Sequence, residues 1–480
     1  MKALHPIQKI IKEISMYQIN FKQPVSIHFI GIGGISMSGL AAVLLKEGFQ
    51  VSGSDAKESS LTRWLEEKGA RIVYGQRAEN ISQDLDVVVY TAAIHPDNPE
   101  FAAAKNLSLP MLTRAELLGQ IMKNYEMPIA VSGTHGKTTT TSMLSHVLLA
   151  ADLDPTISVG GILKAINGNI RVGNSQNFIT EACEYTNSFL SFYPKMSLIL
   201  NIDADHLDFF KDLNDIRHSF HLFAQRLPQD GALIINSCIP NLAEITEGLS
   251  CRVITYGTPE SDYYAADVTY NEMGFGSFTL LKHGKEMGRF HLMVPGDHNV
   301  SNATATLAAG DLLGISAEDM AKGLASFTGA NRRFEHKGSV KGITVIDDYA
   351  HHPTEIEATL RAAKNYPHKT LWCVFQPHTY TRTKALLDDF ARVLCLADRV
   401  ILADIYAARE KNTVGISSQD LLKKILEKGG NAIYLPDFGQ IEDYLLEHCV
   451  KDDLVITMGA GDVVTIGENL LKKGKISAAN

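Results

Sequence analysis

The stretch 131–141, Val-Ser-Gly-Thr-His-Gly-Lys-Thr-Thr-Thr-Thr, constrains the fold of this chain more than any other. The apolar run 127–131 before it reads as a buried parallel strand, and the apolar-periodic segment 143–150 after it reads as a helix. Strand, glycine loop and helix start in that order make a phosphate cradle. The glycines let backbone N–H groups approach an anion, the helix N-terminus adds partial positive charge, the Lys137 ammonium neutralises phosphate oxygens, and the Thr138 hydroxyl can ligate a divalent cation. The strict G-x-x-x-x-G-K-[ST] pattern is not met, because Val131 stands where its first glycine would be. A glycine-rich turn without a ligand is therefore the competing reading of this stretch taken alone.

At 480 residues the chain exceeds one ordinary core, and about 150 residues per domain gives three. Residues 1–125, 126–330 and 331–480 are the expected units, each an α/β domain: Rossmann-like, P-loop-like and Rossmann-like again. The net charge of -9 offers no basic stripe for nucleic acid. No apolar run reaches the ~20 residues of a membrane helix, and residues 1–17 lack a signal-peptide pattern, so the expectation is a cytoplasmic protein. Six scattered cysteines with no C-x-x-C spacing read as reduced thiols. Residues 1–15 add no strand or periodic face and read as a loosely held helix or an upstream extension before Met16.

In the first unit, the strand 26–32 runs into a second glycine loop, Gly31-Ile32-Gly33-Gly34-Ile35-Ser36, and then a helix, with Asp55 ending the next strand. This resembles a dinucleotide fingerprint, but Ser36 replaces its third glycine, and a glycine loop before a helix binds any pyrophosphate. The spacing gives a diphosphate site without naming its ligand. An NAD-dependent dehydrogenase rests on this loop alone.

In the middle unit, two predicted strand ends carry Glu181-Ala182-Cys183-Glu184 and Asn201-Ile202-Asp203-Ala204-Asp205-His206. Ligands of parallel sheets sit outside the carboxyl ends of strands, so both motifs are expected beside the Lys137 loop, where a phosphate-bound cation needs such partners. Helix caps are the bland alternative. A later segment, Asp297-His298-Asn299-Val300-Ser301-Asn302, opens an alanine-rich helix whose polar start suits a base or ribose. The last unit has two similar strand ends, 347–354 with Tyr349 and His351, and 376–383 with His378 and Arg382, which suggest a site for a small anionic substrate.

Taken in order, residues 28–34, 133–141, 181–184, 201–208, 298–303, 332–335, 347–353 and 376–383 resemble the Mur ligases over nearly the whole chain, and among them the members that add L-alanine to UDP-N-acetylmuramate. The resemblance implies ATP and Mg2+ as cofactors. It assigns Gly133, Thr134, His135, Gly136, Lys137, Thr138 and Thr139, with His298, Asn302, Arg332 and Asp347, to ATP, and Thr138, Glu181 and His206 to the metal. Lys137, Glu181 and His206 carry the catalysis in that reading. Gly31, Gly33, Gly34, Ser36 and Asp55 fall to the UDP-sugar, and Tyr349, His351, His378 and Arg382 to the amino acid. A monomer or homodimer acting on small molecules follows, with neither nucleic acid nor membrane as partner. Two positions depart from the family pattern: Cys183 stands for a frequent Asp, and Thr379 for an Arg, which leaves Arg382 more of the carboxylate binding. A ligase adding a murein tripeptide to the same nucleotide sugar is the nearest alternative.

Overall fold

The computed structural model describes residues 17–479 apart from positions 92, 208 and 409, so the expectation about residues 1–15 lies outside the described residues. Three sheets follow one another along the chain. The first has the order Arg71–Tyr74, Gln50–Asp55, Ser26–Ile30, Val87–Tyr90, Met111–Thr113, with every neighbouring pair parallel. Its two central strands are buried on both faces because helices cover the sheet, with Ile27, Phe29, Val87 and Val89 in the core and His28 buried between the first two. The first glycine loop leaves the end of Ser26–Ile30 and feeds the helix Ile35–Lys46.

The second sheet has ten strands. At its centre Met127–Ser132 lies between Met196–Ile199 and Asn177–Ala182, all parallel, with Val131 opposite Glu181 and Ser132 opposite Ile199. This register delivers the Lys137 loop, Glu181 and the segment after Ile199 to one edge. Glu181 sits inside its strand rather than beyond a shorter one, while residues 201–206 lie in the connection as expected. The helices Lys137–Ala150, Asp297–Leu312 and Ala317–Ser326 pack on a face of the sheet through Val147, Leu148, Leu307 and Ala308. They approach so closely that a side chain at Gly323 would meet the Val147 Cα at 2.5 Å.

Antiparallel ribbons extend both edges of this sheet, which a purely parallel reading did not anticipate. One consists of Tyr263–Tyr270, Phe275–Lys282 and Lys285–Pro295, and the other pairs Thr156–Leu163 with Gly168–Arg171. The cause is legible afterwards: Lys285–Pro295 alternates buried Phe290, Leu292 and Val294 with exposed neighbours, the period of a half-buried strand.

The third sheet runs Glu335–Val340, Ile343–Asp348, Leu454–Met458, Leu371–Phe375, Arg399–Leu402, Ala432–Tyr434. Its first pair is an antiparallel hairpin, and the rest is parallel. The hairpin of the second sheet reaches the first: Asn169 Nδ2 donates to the Ile35 carbonyl at 3.2 Å, and Ile170 fills the space beside Gly39. The second and third meet where His352 Nε2 donates to the Ala204 carbonyl at 3.2 Å. All six cysteines are free thiols, and no helix among the described residues is long and apolar enough to cross a membrane.

Candidate active site

The Lys137 loop takes its shape from two glycines with left-handed backbone, Gly133 at φ 140° and Gly136 at φ 83°. An added Cβ at Gly136 would stand 2.8 Å from Asn302 Oδ1, so only glycine fits there. Lys137 opens the helix and curls back over the loop. Its Nζ donates to the Gly133 and Thr134 carbonyls and pairs with Glu184 Oε2 at 2.9 Å. Burial alone would lower the ammonium's pKa, but the acidic groups around it, Glu184 foremost and Glu181 with it, together outweigh burial and hold it above the ordinary value.

Beside Lys137, the Thr138 hydroxyl donates to Glu181 Oε2 at 3.0 Å, and Gly160 N donates to Glu181 Oε1 at 2.5 Å. Burial raises the Glu181 pKa despite these donors, the signature of a carboxylate short of positive charge. His206, at φ 53°, stacks on Tyr185 with ring centres 4.5 Å apart and brings Nε2 to 3.8 Å from Glu184 Oε1. The Thr138 hydroxyl and the Glu181 carboxylate are the oxygen donors a hard divalent cation carrying phosphate would take, and His206 reaches the same edge through Glu184, while no three His, Cys, Asp or Glu side chains among the described residues are gathered as a metal cluster.

His135, within the loop, lies between two carboxylates, Asp203 at 3.2 Å from Nε2 and Glu355 at 3.2 Å from Nδ1. Burial disfavours its charge, yet Asp203 and Glu355 prevail and push its pKa up to about 9. Because Glu355 belongs to the third sheet's helix Pro353–Lys364, this imidazolium joins the second and third domains. The ring also stacks against His352 at 4.8 Å.

Next to Gly136 and Thr139 a cavity of about 180 Å³ is lined by His135, His298, Asn302, Arg333 and Asp348, among others. His298 is neutral there, with burial lowering its pKa to about 4. Arg332 and Asp347 do not line it. The Arg332 guanidinium donates to Asp347 Oδ2 at 2.9 Å and to the Gly461 and Gly459 carbonyls, pinning the third domain internally, while the next residues in sequence, Arg333 and Asp348, face the cavity.

A second cavity of about 580 Å³ opens on the other side of His206, lined by Asp205, His206, His378, Arg382 and Glu410 among others. Arg382 donates from Nε and Nη2 to Asp205 Oδ1 at 3.1 and 2.9 Å, across the domain boundary, and contacts His378 Nδ1 through Nη1. Burial would raise the Asp205 carboxyl, but the basic groups around it, Arg382 foremost, together hold it far below the usual range. His378 lines this cavity, whereas His351 and Tyr349 do not. The Arg332 and Arg333 guanidiniums both lie over the Tyr349 ring, and His351 is 5.7 Å from His378. Burial brings both His351 and His378 to about 4, so both are neutral near pH 7.

The first glycine loop is built differently. Gly31 N and Ile32 N donate to the Ser54 carbonyl at 2.9 Å, and Gly33 N donates to Asp55 Oδ2 at 2.8 Å. Asp55 thus braces the turn from within, and Ser36 Oγ accepts from Arg114 Nη1 at 3.2 Å. Sequence reasoning assigned no role to Glu184, Asp203, Asp205, Glu355 or Arg114. The first three lie inside motifs it singled out, whereas Glu355 and Arg114 carry no local signal, since each is brought in by packing between domains or strands.

A line of contacts therefore runs from the phosphate loop to the second cavity: Lys137 to Glu184 at 2.9 Å, Glu184 to His206 at 3.8 Å, His206 to Asp205 at 3.8 Å and Asp205 to Arg382 at 2.9 Å. Comparison with known proteins identifies the family. Residues 26–126 match the model of the Mur ligase family catalytic domain, residues 131–310 that of the Mur ligase middle domain, and residues 332–461 that of the Mur ligase glutamate ligase domain. A UDP-N-acetylmuramate–L-alanine ligase of Agathobacter rectalis is 62% identical over 95% of this chain and all of its own length, and one of Lachnospira eligens is 58% identical over the same shares. Among solved structures, UDP-N-acetylmuramate-alanine ligase of Thermotoga maritima superposes with a TM-score of 0.77 at 30% identity, covering 94% of this chain and 99% of its own. A murein peptide ligase of Psychrobacter arcticus does so at 0.67 and 25%, covering 93% and 98%. With three family domains in order over most of its length and relatives this similar, the chain belongs to the Mur ligase family.

Proposed function

We propose that this protein is an ATP-dependent ligase that joins L-alanine to the lactyl carboxylate of UDP-N-acetylmuramate, in the synthesis of a peptidoglycan precursor. The observation that carries the reading is the line of contacts from Lys137 to Arg382, which sets a phosphate cradle and a carboxylate-binding cation on one continuous site. The close relatives named for this reaction favour it over tripeptide addition.

In this reading the lactyl carboxylate attacks the γ-phosphorus of ATP, ADP leaves, and the amine of L-alanine then attacks the acyl phosphate, expelling phosphate as the amide forms. Lys137 and the glycine N–H groups neutralise the phosphates, a role in which positioning and charge do most of the work. Thr138, Glu181 and His206 would hold Mg2+, which supplies further charge neutralisation on the phosphate oxygens. His298 and Asn302 border the cavity that suits the adenosine half of ATP. Arg382 exchanges its Asp205 partner for the alanine carboxylate, and neutral His378 lies beside it. Units 1–125, 126–330 and 331–480 serve nucleotide sugar, ATP and amino acid in turn, in a cytoplasmic enzyme.

Phosphate release measured with ATP, UDP-N-acetylmuramate and single amino acids tests the reading. L-Alanine should give the highest kcat/KM, and chelating magnesium should abolish turnover. Preference for the murein tripeptide over L-alanine would replace this function by the recycling one.

A further inference from the structure

Glu355 is one carboxylate shared between two sites. It stands in the first turn of the helix Pro353–Lys364 of the third domain, three residues after His352. Its two oxygens serve different partners. Oε1 faces the second domain, 3.2 Å from His135 Nδ1 in the phosphate loop, with Arg333 Nη1 3.7 Å away. Oε2 faces its own domain, where it accepts from the His351 backbone N–H at 3.1 Å and lies 3.4 Å from His351 Nδ1. The Glu355 and His135 side chains are each 12% exposed, so separating them would leave a charge short of its partner in a largely dry place. The residues between His351 and Glu355 dock on the same loop: the His352 ring lies against His135 and donates to the carbonyl of Ala204, the neighbour of Asp205.

Beyond His351 the contacts continue to the amino-acid side. The His351 ring centre is 5.7 Å from that of His378, and His378 Nδ1 is 3.1 Å from Arg382 Nη1. A path through His135, Glu355, His351 and His378 thus runs beside the one through Glu184 and His206. His135 and Glu355 line the cavity next to Gly136, and neither lines the cavity of Arg382. Because His135 and Glu355 belong to different domains, their pair forms only while those domains are docked.

We infer that Glu355 is a positioning residue for the amino-acid site, its carboxylate tying His351 to His135 of the phosphate loop and so setting the pocket that receives L-alanine. The inference rests on the function proposed above and adds to it the side chain through which the docked phosphate loop shapes the pocket of the second substrate. Glutamine keeps the size of this side chain but has one acceptor oxygen and no charge, so it cannot serve both partners as the carboxylate does.

Kinetics of Glu355→Gln, His135→Gln and the double variant, each in the full chain, test it. Alanine-dependent phosphate release is measured beside a trap in which hydroxylamine replaces L-alanine and captures the acyl phosphate as a hydroxamate, releasing phosphate. Wild type without alanine-dependent release would overturn the underlying function, and the inference with it. Given wild-type activity, Glu355→Gln should raise the KM for L-alanine about 5- to 100-fold, the range for residues coupled in one network, with kcat at saturating alanine largely retained. Its hydroxamate rate should stay close to wild type, because hydroxylamine has no carboxylate to be positioned. His135→Gln, although its side chain lies on the ATP side, should raise the same KM, and the double variant should be no worse than the poorer single, since both changes cut one contact. An unchanged alanine KM in Glu355→Gln would overturn the inference. Hydroxamate formation that falls in step with ligation would place Glu355 in the phosphoryl step or the general fold and overturn it too. Single effects on the alanine KM that add in the double variant would show the two residues acting apart, with the same consequence.

Discussion

The two glycine loops of this protein share a backbone plan and differ in everything charged. Each leaves the carboxyl end of a central parallel strand and opens a helix, Ile35–Lys46 in one domain and Lys137–Ala150 in the next. The first is braced by its own carboxylate, Asp55 against Gly33 N, and its one cationic contact is the Arg114 guanidinium that donates to Ser36 Oγ. The second carries Lys137 and a charged His135 within the loop, set against Glu184, Asp203 and Glu355. A glycine loop alone offers oriented N–H groups, enough to bind a diphosphate; moving a phosphoryl group also requires cations where charge develops. The contrast teaches that the loop fold places an anion, and the side chains around it decide whether the anion is held or transferred.

Removing Lys137 should break the contrast most severely. Lys137→Ala is expected to lower kcat more than ~10²-fold through lost charge stabilisation. It also leaves Glu184, 2% exposed, without its partner, which costs about 3–5 kcal/mol of stability. The double variant Lys137→Ala/Glu184→Gln should therefore regain melting temperature but not ligation. Recovery of both together would make Lys137 a structural residue.

On the amino-acid side, Arg382→Lys should raise the KM for L-alanine by about 10- to 150-fold, the loss of one charge-assisted pair of roughly 1.5–3 kcal/mol, with the KM for ATP nearly fixed. Parallel rises in both constants, with a lower melting temperature, would instead point to the Arg382–Asp205 bridge as a domain prop.

For the first loop, Gly33→Ala sharpens the comparison from the other side. Its Cβ would meet Asp55 Oδ2 at 2.8 Å and Thr62 Cγ2 at 2.9 Å, so the brace must shift, at about 1–3 kcal/mol. The KM for UDP-N-acetylmuramate should climb while ATP binding stays put. An equal effect on both substrates would show that the loops do not divide the work.

The smallest expected effect concerns pH. The His135 pKa is raised from 6.5 to about 9 in the fold, so its pairing stabilises fully below about 6.5 and is lost as pH rises through about 9. The melting-temperature gap between wild type and His135→Gln should narrow across that window. A gap independent of pH would remove the imidazolium from the contact between the second and third domains.

Much of this site can be read along the sequence because parallel sheets deliver strand ends to one edge: Thr138 meets Glu181, and Lys137 meets His206 through Glu184, for that reason. What could not be read depends on docking. Glu355 looks like an ordinary first-turn acid until the third domain brings it to His135, and Arg114 looks like a surface cation until its strand lines up beside the first loop. Arg332 and Asp347 illustrate the converse. Their motif marks the right place, but backbone carbonyls and each other satisfy them, and the following residues reach the cavity. The antiparallel ribbon 263–295 was legible from its alternation, which the run of parallel strands before it obscured.

The central claim, that ATP activates the lactyl carboxylate before the amine arrives, is tested most directly by isotope transfer. UDP-N-acetylmuramate labelled with oxygen-18 in both carboxylate oxygens is turned over with ATP and L-alanine, and the released phosphate and product are weighed by mass spectrometry. The account predicts that each phosphate carries a single labelled oxygen and each amide retains the other. Unlabelled phosphate alongside ligated product would contradict it.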